Sequence, residues 1–152
     1  LDEIFRHPVN EELVKQAVES KLFGIALESY TVGNYELCQS VAQRYQKILC
    51  LDMGHFHPTE TIPDKISSAL GNIPAILVHA SRGVRWDSDH PVIYNDDIKE
   101  VAHEIIRGDY LDRVYLATDF FDASQNRVGT YAMGVRNVYK AMLNAMLELW
   151  GG

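Results

Sequence analysis

The sequence predicts an α/β fold built on a parallel sheet, and three observations carry that expectation. Short apolar runs alternate with longer amphipathic stretches. The short runs are apolar nearly throughout, as strands covered on both faces are. The length of 152 residues, with 47% apolar and 23% charged side chains, suffices for one core-forming unit. No low-complexity stretch, linker or short repeat divides the chain, so residues 1–152 read as one domain.

Four runs are the expected strands: residues 21–27, 47–51, 75–79 and 113–118. Ahead of the first, the pattern from Asn10 to Glu19 reads as a helix. Between the runs lie two amphipathic helices. In residues 35–46, Leu37, Val41 and Tyr45 recur four apart on one face. In residues 97–107, Ile98, Val101, Ala102, Ile105 and Ile106 form an apolar stripe, with Asp96 as N-cap and Gly108 as the stop. A last helix is expected from about Asn126 to Leu149. Strand then helix, about four times over, is the pattern of right-handed βαβ units. A small open doubly wound sheet fits the length, although no glycine-rich phosphate turn of the GxGxxG or GxxxxGK[ST] kind is present. Half of a larger barrel is the competing architecture, since a closed eight-stranded α/β barrel takes about 250 residues.

Composition narrows the partners. With 14 basic against 21 acidic residues, a net charge of -7 and no stripe of Lys and Arg, the chain is not expected to bind a nucleic-acid backbone. No apolar run approaches the roughly 18–20 residues of a membrane span, and the first residues carry no signal-peptide pattern. Cys38 and Cys50 form no CxxC pair, which leaves the reducing cytoplasm as the expected compartment. The chain opens at Leu1 inside a helix-like pattern and closes on an apolar helical stretch, so it is expected to be a piece of something longer.

The chemistry sits at the ends of the runs. Asp52 follows Leu51, His79 ends Ala-Ile-Leu-Val-His, and Asp119 follows Thr118. In parallel α/β folds the carboxyl ends of strands form the site. Asp52-Met53-Gly54-His55 sets a carboxylate and an imidazole three residues apart around a glycine, and Asp87-Ser88-Asp89 alternates two carboxylates with a small residue. Carboxylates with one or two histidines suit Mn, Mg, Co or Zn, and with seven or more candidate ligands there is room for two ions. Taken singly, each piece has an ordinary explanation in a capped helix, a core histidine or a solvated charge. His7, His57, His90 and His103 are assigned to such explanations. Trp86, Tyr131, Tyr139, Trp150, Met133, Met142 and Met146 read as packing residues, and Phe120, Phe121 and Asp122 as equally core or pocket.

Five strings then carry a resemblance: AVESKLFG (17–24), ESYTVG (28–33), LDMGHFHPTETIPDKIS (51–67), HASRGVRWDSDH (79–90) and TDFFDASQNR (118–127). In this order and at these spacings they resemble the L-rhamnose isomerase family over essentially the whole chain. The resemblance implies a (β/α)8 TIM barrel, of which this chain supplies roughly the second half, and a two-ion site similar in design to that of xylose isomerase. It implies His55, Asp87 and Asp89 as ligands of a catalytic ion, and Glu19, Asp52, His79 and Asp119 as ligands of a structural ion, with Asp52 placed to bridge both. Lys21 matches the lysine that approaches the sugar's O1. Lys21 and Asp119 are thus the implied catalytic and sugar-contacting groups, with Trp86 as a further sugar contact. Strand-end logic alone would select Glu28 rather than Glu19; the family match selects Glu19 and requires an extended chain from about Val18.

The function that the resemblance implies is that of a divalent-metal-dependent aldose–ketose isomerase acting on L-rhamnose or a related aldose, in a cytoplasmic homotetramer. Mn2+ is the implied catalytic ion, with Zn2+, Co2+ or Mg2+ as alternatives, beside a second divalent structural ion. The family favours a hydride shift over an enediol, which the spacings do not separate, and the group that opens the sugar ring is expected on the other half. The alternatives are a metal-dependent isomerase of another aldose and a non-catalytic half-barrel whose apolar strand edges associate with partner chains.

Overall fold

A computed structural model describes residues 1–23, 31–57, 59–84, 89–120 and 126–150. Its elements in chain order are α1 (Asp2–Arg6), β1 (Ala17–Glu19), β2 (Lys21–Phe23), β3 (Thr31–Gly33), α2 (Tyr35–Tyr45) and β4 (Ile48–Asp52). They continue with α3 (Pro63–Leu70), β5 (Ile76–Arg82), β6 (His90–Pro91), α4 (Asp96–Arg107), β7 (Val114–Thr118) and α5 (Arg127–Trp150).

Strands β1, β4, β5 and β7 lie side by side in chain order, each pair parallel. Crossovers of one hand, each stepping in the same direction, set their helices on one face of the sheet. The register bears this out. Val18, Leu49, Leu51, Ile76 and Val78 share a core with Cys38 and Ala42 of α2, Ile66, Ala69 and Leu70 of α3, and Val101 and Ile105 of α4. A second cluster joins Ala80 and Val92 to Ile98, Ala102 and Ile106 of α4 and to Ala141 and Ala145 of α5. The alternate residues Glu19, Cys50, Asp52, Leu77 and His79 face the other way, because side chains alternate along a strand.

The α4 stripe is buried as its spacing predicts. Its N-cap is Asn95 rather than Asp96: the Asn95 side chain accepts the Ile98 N–H at 3.4 Å, and Asp96 falls in the first turn. In α2 the buried face is Cys38 and Ala42, with Val41 and Tyr45 packed at its edge, and Leu37 points to solvent. A four-residue recurrence drifts off a helical stripe of period 3.6, and only one end of that set meets the sheet. Helix α3 is not among the expected helices; it buries Ile66, Ala69 and Leu70 on one face and forms with Pro63 in its first turn, where a missing N–H costs nothing.

One helix and two strand expectations are corrected. Residues 10–19 are not a helix. A turn at Asn10 is followed by β1, which β4 holds in register from Ala17 opposite Ile48 to Glu19 opposite Cys50, so tertiary pairing overrides the local pattern. The run 21–27 does not join the parallel sheet: Lys21–Phe23 pairs antiparallel with Thr31–Gly33, and residues 24–27 lie outside the described residues. The third run continues past His79 to Arg82, because β6 extends it by pairing His90 with Arg82 and Pro91 with Ser81. Strand β4 is buried throughout, whereas β7, which pairs with β5 alone among the described strands, is only partly covered. Met142 packs against the core and Tyr131 lies with its ring 5.0 Å from that of Phe120, whereas Met133, Tyr139 and Met146 of α5 are exposed rather than packed.

Gly134 of α5 marks a tight contact. A Cβ there would fall 2.6 Å from the buried ring of Phe120, the residue after Asp119. Gly134→Ala is therefore expected to destabilise the fold by about 1–3 kcal/mol through overpacking. That outweighs the roughly 1 kcal/mol of helix propensity it gains. Denaturant unfolding checks the sign; a stabilised variant would contradict the contact.

Candidate metal centre

Parallel pairing places Asp52 level with His79 and sets Ala80 level with Thr118, so Asp119 emerges beside His79 at the same rim. The turn after β4 then folds back. His55 N–H donates to the Asp52 carbonyl at 3.2 Å, and Met53 N–H donates to the His79 carbonyl at 3.1 Å. The turn lies close against Gly83, where a Cβ would stand 3.2 Å from the Gly54 carbonyl oxygen.

The result is a compact cluster. His55 Nδ1 lies 3.2 Å from Glu19 Oε1, and His55 Nε2 lies 2.8 Å from Asp89 Oδ1 and 3.9 Å from Asp52 Oδ2. His79 Nδ1 lies 3.0 Å from Asp119 Oδ2, 3.3 Å from Asp52 Oδ2 and 3.4 Å from Glu19 Oε1. Lys21 Nζ stands 3.3 Å from His55 Nε2. Glu19, Asp52 and His55 form one set of donor atoms within 4.8 Å of one another, and Asp52, His79 and Asp119 form another. Asp52 belongs to both.

Asp52 is wholly buried, and its two oxygens differ. Oδ1 accepts the Gly54 N–H at 2.7 Å and the Ser81 hydroxyl at 2.5 Å. Oδ2 has no hydrogen-bond partner and faces the space between the histidines. Its contacts there are ion pairs, 3.3 Å to His79 Nδ1 and 3.9 Å to His55 Nε2, and a buried carboxylate oxygen is stable only beside such a cation.

Protonation follows the crowding. Burial pushes the Glu19 carboxyl up, but hydrogen bonds to His55 and His79 outweigh it and hold the group down at about 2. Burial pulls the His55 imidazole down, yet Asp89 and Glu19 carry it up to about 10. Asp52 foremost, with Cys50 and Glu19, raises His79 to about 12. The His55 contact lowers Asp89, whereas burial and the surrounding carboxylates raise Asp119 against the pull of His79. Burial pushes the Cys50 thiol up to about 11. The imidazoles thus act as the cations among these carboxylates, the role a divalent ion takes when it displaces their protons.

Of the residues expected from sequence, the structure brings together Glu19, Lys21, Asp52, His55, His79, Asp89 and Asp119. Trp86, Asp87 and the alternative Glu28 lie outside the described residues. His103 stands apart, 3.1 Å from Glu148 between α4 and α5, and His57 bonds Thr59 in its loop. Ser81 carries no mark of its own in the sequence. It is two residues past His79 on the same strand, and alternation would have found it had the strand been extended that far. Ser81→Ala is expected to weaken divalent-ion affinity by about 10–100-fold with the fold intact, the usual cost of losing a hydrogen bond that orients a ligand. Calorimetric titration with Mn2+ measures it.

A parallel α/β sheet with carboxylates and imidazoles gathered on its carboxyl rim is the layout of an α/β enzyme site. The sequence model of one such enzyme family, L-rhamnose isomerase (RhaA), matches residues 1–150, and the chain belongs to that family. L-rhamnose isomerases of Rhodopirellula baltica, Pectobacterium atrosepticum and Cronobacter sakazakii are 55%, 53% and 54% identical to it over 148 residues. These alignments take in 97% of this chain and 35% of each relative, so the chain spans about a third of the length of the curated relatives it matches. No helix among the described residues is long and apolar enough to cross a membrane.

Proposed function

We propose that the cluster is the two-ion centre of an aldose–ketose isomerase, and that the full-length protein converts L-rhamnose to L-rhamnulose. The observation that carries this reading is the buried Asp52 Oδ2, which faces both histidines and is shared by the two donor sets that contain it. Family membership supports the sugar, since relatives of this chain are named L-rhamnose isomerases.

In this reading His55 and Asp89, with Asp87, hold the catalytic ion, and Glu19, Asp52, His79 and Asp119 hold the structural one. Oxygen-rich donors with imidazole favour Mn2+, with Zn2+, Co2+ or Mg2+ as substitutes. Bound there, divalent ions supply Lewis-acid polarisation of the sugar's oxygens. The chain's own groups do the rest. Lys21 sets an ammonium beside His55, where charge develops on O1, and stabilises it electrostatically. Asp119, just past the end of β7 and 3.0 Å from His79, is placed for its carboxylate to contact the sugar. The hydrogen itself moves between C2 and C1 as a hydride.

The architecture we infer is a closed (β/α)8 barrel completed by strands outside these 152 residues. Chain-order strands with helices on one face suit a barrel and lack the reversal of a doubly wound sheet. Beside β7, Leu116, Val138, Met142, Leu143 and Met146 line an apolar groove of the kind a following βα unit covers.

The test is turnover by the full-length, Mn2+-loaded protein on a panel of aldoses, with L-rhamnose deuterated at C2. The expected result is L-rhamnulose that retains the label at C1. Loss of the label to solvent would replace the hydride shift with an enediol. A different preferred aldose would reassign the substrate, and no conversion of any aldose would refute the isomerase reading.

A further inference from the structure

The segment that follows Asp89 is held between two elements. On one side β6 pairs with β5, His90 opposite Arg82 and Pro91 opposite Ser81. On the other side stands α5. Val92 is 1% exposed, and the Asn137 side-chain amide donates to its carbonyl at 3.0 Å. A buried carbonyl needs a donor, and β6 ends one residue earlier, at Pro91. Two residues on, the Tyr94 hydroxyl donates to Asn144 Oδ1 at 2.8 Å. Gly134, Asn137, Ala141, Asn144 and Glu148 recur at steps of three and four along α5 and therefore share one face. That face meets Phe120 and Val92 at Gly134, the buried residues of α4 at Ala141, and His103 of α4 at Glu148, 3.1 Å away.

We propose that Asn137 is a positioning residue: by holding the Val92 carbonyl it fixes the arm of backbone that presents the Asp89 carboxylate. The inference rests on the reading of Asp89 as a ligand of the catalytic ion. Val92 follows Asp89 by three residues, and Pro91 lies between them. The proline ring fixes φ at that position, so a displacement of Val92 is passed along the chain toward Asp89 rather than absorbed. Asn137 itself touches neither ion nor sugar and acts through residues 89–92. Linkage makes the effect reciprocal. If the hydrogen bond to Val92 raises affinity for the ion, the bound ion strengthens the hold of α5 on Val92 by the same factor.

The experiment is calorimetric titration with Mn2+ of the full-length protein and of Asn137→Leu, which keeps the bulk and improves the helix propensity of the side chain while removing the donor. One of the two ions is expected to bind about 10–100-fold more weakly and the other as before, the scale of losing an outer partner of a ligand. The kcat of the variant should fall at limiting Mn2+ and return at saturating Mn2+. Tyr94→Phe, which frees the tether farther from Asp89, should weaken the same ion less. Unchanged affinity in Asn137→Leu would overturn the proposal. Equal weakening of both ions, or an equal loss in Tyr94→Phe, would overturn it too, because the packing of α5 would then be the whole cause. Hydrogen exchange of the unmodified protein gives a readout independent of any variant: on adding Mn2+, protection should rise at residues 92–95 and in the turn of α5 around Asn137 together. No rise in α5 with Mn2+ bound would likewise overturn it. Each of these results leaves the proposed function standing, whereas failure of the unmodified protein to bind Mn2+ would overturn the two together.

Discussion

Asp52→Asn is expected to abolish high-affinity divalent-ion binding and isomerase activity together, with the largest effect of any conservative substitution in this chain. The amide matches the carboxylate in size, and its oxygen can still accept from Gly54 and Ser81. What it removes is the charge at the buried position shared by both donor sets. Losing an outer partner of a ligand costs about 10–100-fold in affinity, and losing the shared ligand should cost more than that. At a metal concentration of about 100 times Kd, a binding site adds about 2.7 kcal/mol to stability. The unmodified full-length protein should therefore show a clear rise in Tm on adding Mn2+, and Asp52→Asn none. An equal rise in both would remove Asp52 from the site.

His55→Ala is expected to separate the two proposed ions. His55 meets Asp89 and Lys21 as well as Glu19 and, at 3.9 Å, Asp52, whereas His79 of the neighbouring strand meets Asp52, Glu19 and Asp119. Elemental analysis should fall from two ions per chain to one, with kcat down by at least about 10²-fold, the scale of losing one electrostatic stabiliser of a developing charge. Asp89→Ala should match it. Unchanged metal content in either variant would refute the division of ligands, and loss of both ions would show one cooperative site.

Much of this centre is legible in the sequence, because strand-end chemistry leaves a local mark. Asp52 and Asp119 each follow an apolar run, and Asp-x-Gly-His announces a turn. Helix α4 is equally plain, since all five stripe residues are buried. The features that stay hidden depend on partners far along the chain. Glu19 reads locally as the end of a helix, and only pairing with β4 turns it into a strand residue. Ser81 becomes visible once β6 lengthens β5. Leu37 reads as buried because apolar spacing reports a face without reporting what covers it. The Lys21–His55 contact joins residues on different elements, which no spacing rule reaches.

That Asp52, the two histidines and the surrounding carboxylates hold divalent metal is tested most directly by crystals of the full-length protein soaked in Mn2+ and measured at the manganese absorption edge. Two anomalous peaks are expected, with Asp52 Oδ2 in contact with metal and the imidazoles turned from their carboxylate partners to the ions. No peak at saturating Mn2+, with His55 and His79 still bonded to Glu19, Asp89 and Asp119, would contradict a metal centre here.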